Sequence, residues 1–266
     1  MPIFEYNQLA LHYQVYGKSD RALLFIHGLG GNGDSWKYQI ESFKSDYQVV
    51  TIDLFGHGKS TQEVDPVYVP RLDAEAAEAL MRTRIKKPYV AIGHSFASNI
   101  LPEIIKLADN NLKGVVFVDC TYQGFADIQE SRVRFARMML AYSDTTLKTE
   151  TENWYNELIG DRADDNDRRM IMSSLKDCDF RWLFESVAGC QEFNEKYPPE
   201  KTPLRDNFPV FVMESEHGVG LNFRKSWVTH FKQAEYYLFE NTHHFFFVTE
   251  QVKFNELLSE FLAQCL

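Results

Sequence analysis

Metal-binding cysteine patterns, long apolar runs and an excess of basic charge are all missing from this sequence. The four cysteines, Cys120, Cys178, Cys190 and Cys265, form no C-x-x-C pair and fall at no metal-ligand spacing. Reduced thiols in a reducing compartment are therefore expected, with no metal site and no cofactor. No apolar run approaches the about 18 residues a membrane span needs. The first residues, Met1-Pro2-Ile3-Phe4-Glu5, lack the basic and apolar regions of a secretion signal. A soluble, cytoplasmic protein without membrane insertion is the expectation. Acidic residues outnumber basic ones 38 to 28, and the net charge of -10 disfavours nucleic acid and anionic membrane surfaces as partners. Neither an internal repeat nor a low-complexity tract occurs.

What is present is a 266-residue chain, 44% hydrophobic, long enough for one large α/β domain carrying an insertion. Segments 3–6 and 9–16 read as an opening hairpin, the second alternating Leu11, Tyr13 and Val15. Segment 22–26 is a continuous apolar run of the kind buried on both faces of a mainly parallel sheet, 47–52 reads as the next strand, an apolar run from Tyr89 breaks at Gly93, and 112–118 is another apolar strand. Helical patterns separate them: one bearing Trp36, Ile40 and Phe43 with Asp34 or Ser35 as its cap, one at 73–85, and one from Ala97 towards Leu107. From 122 to 207 the rhythm changes to helical, charged and aromatic segments at 128–142, 151–158, 168–175 and 180–187. A proline-rich stretch, Pro198-Pro199 to Pro203, reads as the hinge back into the sheet, where strands at 209–213 and 235–239 flank a helix at 222–231. A final amphipathic helix occupies 252–262. The division expected is a sheet-forming core of 1–121 and 208–266 with a helical lid of 122–207.

The most telling stretch is Tyr89-Val90-Ala91-Ile92-Gly93-His94-Ser95-Phe96-Ala97-Ser98-Asn99. An apolar strand breaks at Gly93, presents Ser95 on a turn and passes into a helix. A sharp strand-to-helix turn needs small residues on both sides of its serine, and Gly93 and Ala97 supply them. A serine capping a helix after a buried strand reads the same way at this local level.

Four features in sequence order resemble the α/β-hydrolase superfamily. They are the loop His27-Gly28-Leu29-Gly30-Gly31, the segment Asp53-Leu54-Phe55-Gly56-His57-Gly58-Lys59-Ser60, the G-H-S-F-A turn with Ala97 where glycine is usual, and a late His-Phe pair. The resemblance spans nearly the whole chain and implies a mostly parallel eight-stranded sheet flanked by helices, with the helical lid as a cap. It further implies Ser95 as nucleophile, and the backbone N–H groups of Leu29 and Phe96 as the oxyanion hole. His244, with Phe245 directly after it, is the implied base, and His243 the runner-up. His27, His57, His94 and Asp53 are implied to be structural.

One implied element is missing from its usual place. After the seventh strand the family carries its acid in a G-x-x-D segment, whereas this chain reads Ser215-Glu216-His217-Gly218. Asp119, at the end of the sixth strand, leads as the replacement; Glu216 is the alternative, with Glu214 behind it. The expected function is a serine hydrolase that cleaves carboxylic esters of small to medium acyl groups through an acyl-enzyme, with a small-molecule ester as partner. Lactone or thioester hydrolysis on the same residues, or a catalytically weak ligand-binding or receptor-like homologue, are the alternatives. Lid residues Phe125, Phe135, Met138, Met139, Trp154, Tyr155, Trp182 and Phe184 offer an acyl pocket or simple packing. Arg132, Arg134, Arg137, Arg168, Arg169 and Arg181 offer recognition of an anion or ordinary solvated charge.

Overall fold

The computed structural model describes residues 2–65, 69–120, 126–196, 204, 207–218, 231 and 234–266, with backbone alone at 69, 126–131, 177 and 191–196. Eight strands form one sheet: β1 (Ile3–Tyr6), β2 (Leu9–Tyr16), β3 (Ala22–Ile26), β4 (Gln48–Ile52), β5 (Tyr89–His94), β6 (Leu112–Val118), β7 (Val210–Ser215) and β8 (Glu235–Phe239). Their spatial order is β1-β2-β4-β3-β5-β6-β7-β8. The β1–β2 and β2–β4 pairs are antiparallel, and every pair from β4 to β8 is parallel. This is the α/β-hydrolase architecture that the motifs imply.

Alternation along the central strands sends side chains to two separate cores. Ala22, Leu24 and Ile26 of β3 join Ala91, Val115 and Phe117 on one face, while Leu23 and Phe25 join Val90, Ile92, Val116 and Val118 on the other. Helices α2 (Val69–Leu80) and α3 (Leu101–Leu107) cover the first face. Helix α1 (Lys37–Phe43) and the C-terminal helix α8 (Gln251–Cys265) cover the second. On α8, Phe254, Leu258, Phe261 and Leu262 are buried, each stabilising by about 1.5–3 kcal/mol. Among the described residues between β6 and β7 lie four α-helices, α4 (Ala126–Leu140), α5 (Asp144–Ile159), α6 (Asp165–Ser174) and α7 (Phe180–Lys196).

Two local expectations change. The helix bearing Trp36 is entered through a 3-10 turn, Gly33–Trp36, capped by Asn32 rather than by Asp34 or Ser35; the Asn32 side chain accepts from Asp34 N–H at 3.0 Å, and Ser35 completes the box from inside the turn. The chain after Gly93 forms a 3-10 turn, Ser95–Asn99, before α3 begins at Leu101 with Pro102 in its first turn. The expected helix at 222–231 and the hinge at 198–203 lie outside the described residues, apart from Phe231.

Candidate active site

The turn at Ser95 is built by crowding. Ser95 has φ +52°, a left-handed conformation that costs a residue with a Cβ about 1–3 kcal/mol and persists only where its surroundings enforce it. A Cβ on Gly93 would lie 2.6 Å from the Ala97 methyl and 2.8 Å from Leu101 Cδ1. Ala97 therefore packs into the space that Gly93 leaves, which is why alanine serves at the position where glycine is usual. Ser95 stays partly exposed, and its Oγ makes no hydrogen bond among the described residues.

Directly opposite is the glycine-rich loop after β3. A Cβ on Gly28 would stand 2.8 Å from His94 Nδ1 and 3.0 Å from Ser95 Cβ, so only glycine allows the approach. His27 braces the loop: its Nδ1–H donates to Gly28 O at 2.7 Å and its Nε2 accepts from Leu54 N–H at 3.0 Å. Burial pushes its pKa down, consistent with a neutral ring using one nitrogen each way. The Leu29 carbonyl accepts from the Tyr155 hydroxyl of α5. The N–H groups of Leu29 and Phe96 have no protein acceptor among the described residues.

Asp53 ties two loops together, as a structural residue would. Its carboxylate accepts from Gly33 N–H at 2.8 Å and Lys59 N–H at 2.9 Å, and lies 2.9 Å from His12 Nδ1. His57 is buried against the Trp182 ring, and desolvation lowers its pKa to about 3. His94 also stays neutral, its pKa held well below the ordinary value by burial and by the neighbouring His244. It donates from Nε2 to His244 O at 3.1 Å and thereby links the Ser95 turn to the loop after β8.

On that loop His244 is buried, its ring 4.3 Å from that of His94 and its N–H bonded to Leu158 O of α5. Its Nδ1 lies 2.5 Å from Asp119 Oδ2. Asp119 follows β6 with φ +45°, is fully buried, and accepts from Ser215 N–H at 3.0 Å and Ser215 Oγ at 3.1 Å. The other two carboxylates turn elsewhere: Glu216 accepts from Asn241 N–H at 2.7 Å, and Glu214 from the Tyr236 hydroxyl at 2.7 Å. His243 packs against Gly160 and sits 3.9 Å from the exposed Asp161. A Cβ on Gly218 would overlap both Asp119 Oδ2 and Ser215 Oγ. The glycine at the expected acid position and the aspartate after β6 are thus one packing arrangement.

Three of these contacts escape a reading of the sequence. Tyr155 stood out there only as an aromatic, Ser215 only as a neighbour of Glu216, and the His94 bridge not at all. Each joins residues more than ninety positions apart, so no local pattern announces it. Phe125 lies outside the described residues. Of the other lid residues, Met139, Tyr155, Trp182 and Phe184 are buried and Met138 is exposed. Among the described residues no group of three or more His, Cys, Asp or Glu side chains is placed to hold a metal ion, and no helix is long and apolar enough to cross a membrane.

The chain is 34% identical over 92 residues to 3-oxoadipate enol-lactonase 2 of Acinetobacter baylyi, covering 32% of this chain and 34% of that one. It is 28% identical over 123 residues to the dihydrolipoyllysine-residue acetyltransferase component of the acetoin cleaving system of Cupriavidus necator, covering 46% of this chain and 32% of that one. The match therefore spans about a third of these curated relatives. The solved structure of Est816, an N-acyl homoserine lactone degrading enzyme, superposes with a TM-score of 0.79 at 18% identity over 98% of this chain and 100% of that one, a likeness of fold. A family model described as the alpha/beta hydrolase fold matches residues 21–251, and the chain belongs to that family.

Proposed function

We propose that this protein is a serine hydrolase of carboxylic esters, with Ser95, His244 and Asp119 as its triad. The observation that carries the proposal is the 2.5 Å contact of His244 Nδ1 with buried Asp119, on a loop tied by His94 to the Ser95 turn. An imidazole held at Nδ1 by a carboxylate presents Nε2 as the basic atom and is stabilised when that atom gains a proton. Ser95 Oγ attacks the ester carbonyl carbon as His244 Nε2 takes the hydroxyl proton. Charge collects on the carbonyl oxygen, where the Leu29 and Phe96 N–H groups, unused by the described protein, donate to it. Collapse of the tetrahedral centre breaks the bond to the alkoxide, which leaves as the alcohol with the proton from His244. Water then attacks the Ser95 ester, again through His244, releasing the carboxylic acid and restoring the serine hydroxyl.

Lactones are a second reading with their own support, since a lactonase relative and the fold of a lactone-degrading enzyme both match. The chemistry is unchanged; the alcohol simply stays attached to the acid. Helices α4–α7 would act as the lid in either case. The two departures from the family pattern that favour the receptor-like reading, Gly218 and Ala97, each have a packing reason. The test is hydrolysis of 4-nitrophenyl acetate, butanoate and hexanoate, together with γ-lactones, by wild type and Ser95→Ala. The expected result is a loss of at least about a thousandfold in kcat/KM in the variant. A wild-type rate no higher than that of Ser95→Ala across the panel would leave a binding protein.

A further inference from the structure

His94 stands directly before Ser95 in the chain and is buried. Its ring fills a cage of other rings: His244 at 4.3 Å between centroids, Phe247 at 4.7 Å, Phe245 at 5.3 Å and Trp36, edge-on, at 6.5 Å. Packing alone would admit a phenyl ring in such a cage. What the imidazole adds is a hydrogen bond. Its Nε2 lies 3.1 Å from His244 O, and because a carbonyl only accepts, Nε2 carries the hydrogen. No other donor reaches that carbonyl among the described residues.

The ring has one hydrogen to give, since burial first and the neighbouring His244 second hold it neutral. Nδ1 is therefore bare, and it faces the loop after β3, where a Cβ on Gly28 would lie 2.8 Å from it. One ring thus stands between the Ser95 turn, the loop of Gly28 and the loop of His244. His244 is held at three atoms: its N–H by Leu158 O, its Nδ1 by Asp119 and its carbonyl by His94. Leu158 belongs to α5 and Asp119 follows β6. Of the three ties, the one from His94 is the one that runs to the Ser95 turn, across 150 positions of sequence.

We propose that His94 is a positioning residue for the base: through its Nε2–H it sets the spacing between the His244 imidazole and the Ser95 hydroxyl, so that the two segments carrying the reacting groups keep one distance through the reaction. This rests on the hydrolase reading of the same site. Proton transfer needs heavy atoms within about 2.6–3.2 Å of each other, and a misplacement of about 1 Å costs about a hundredfold in rate. A tie one residue from the nucleophile limits that error to the play of a single hydrogen bond. Neutrality serves the same task. His244 gains a proton as Ser95 attacks, and a second cation 4.3 Å away would oppose it.

The test compares wild type, His94→Phe, His94→Asn and His94→Gln on 4-nitrophenyl acetate. His94→Phe keeps a ring and loses the donor, His94→Gln keeps an N–H at the reach of Nε2, and His94→Asn places its amide one methylene short. In His94→Phe and His94→Asn, kcat should fall at least about tenfold with KM within about twofold, and His94→Gln should recover at least about fivefold of that loss. Equal losses in all three variants, or a loss carried by KM, would overturn the proposal. Should His94→Phe fail to fold, His94→Gln against His94→Asn decides by the same margin. Proton NMR, which needs no substrate, separates this result from failure of the hydrolase reading. The His244 Nδ1–H against Asp119 should give a far-downfield signal in wild type, Ser95→Ala and His94→Gln, broadened by solvent exchange in His94→Phe and His94→Asn. A signal equally sharp in all five proteins would overturn the positioning role whatever the kinetics. The expected pattern in a protein that cleaves no ester would uphold the tie and remove only the hydrolase reading.

Discussion

At the scale of single residues, Asp119 and Gly218 share one volume. Asp119 Oδ2 occupies the space that a side chain at 218 would need, and Ser215 holds the carboxylate from below through its N–H and hydroxyl. Asp119→Asn should lower kcat by about a thousandfold to ten-thousandfold, in line with loss of the correct imidazole tautomer, whereas Glu216→Gln should change it less than about threefold. Steady-state kinetics on a neutral 4-nitrophenyl ester checks both, and equal effects would remove Asp119 from the mechanism. A relocation test follows from the shared volume. Asp119→Ala together with Ser215→Ala empties it, and adding Gly218→Asp should recover at least about tenfold of the lost kcat, because the new carboxylate enters the vacated space. Gly218→Asp alone should be poorly active, since two carboxylates then compete for one site.

At the scale of elements, helix α5 works on two loops. Leu158 O receives the His244 N–H and Tyr155 donates to Leu29 O, so one helix holds the loop of His244 and the loop of Leu29 together. Capping fixes α5 and α6 in register: Ser143 caps α5 through Thr146 N–H, and Asp164 caps α6 through Asn166 and Asp167 N–H. Tyr155→Phe keeps the ring in its pocket and removes only the hydroxyl. We expect a stability loss of about 1–2 kcal/mol in urea unfolding, from the carbonyl left unpaired. Turnover should fall several-fold with little change in KM, because the loop that meets the transition-state charge loses its brace. A KM effect alone would mean that Tyr155 contacts substrate instead.

At the scale of the whole molecule, buried titratable groups link stability to pH. His27, His57 and His94 are neutral in the native protein, with pKa values pushed down chiefly by desolvation, that of His57 to about 3. The unfolded chain takes up these protons near pH 6.5, so stability is present above that pH and lost as pH falls towards 3. Between pH 6.5 and 5, His57 accounts for about 2 kcal/mol. Asp73 works in the opposite direction. Burial raises its pKa well above 3.8, and among the described residues only its Oδ1 is engaged, accepting from Phe55 N–H at 2.9 Å. Asp73→Asn preserves that bond and removes a group that disfavours folding at neutral pH. Urea unfolding of this variant should show higher stability at pH 7 and a steeper fall between pH 7 and 5 than wild type; a parallel curve would contradict the assignment.

Much of this protein was legible along the chain because it depends on neighbours in sequence. Apolar runs such as Ala22–Ile26 are strands buried on both faces, and the Gly93-to-Ala97 spacing is a turn in which crowding leaves room for nothing larger. Helix existence was legible and helix entry less so: Asn32, Asp34 and Ser35 all favour capping, and which one caps depends on where Asp53 holds Gly33. The identity of the carboxylate facing His244 was not decidable from order or type, since Asp119, Glu214 and Glu216 all precede it. That outcome depends on the parallel pairing of β6 with β7, which sets Asp119 against Ser215 and Gly218. Tyr155 is another such case. Among the aromatics of the helical segment nothing local singles it out, and its bond to Leu29 O joins residues 126 positions apart, because which side chain reaches a distant loop is a property of packing and not of spacing.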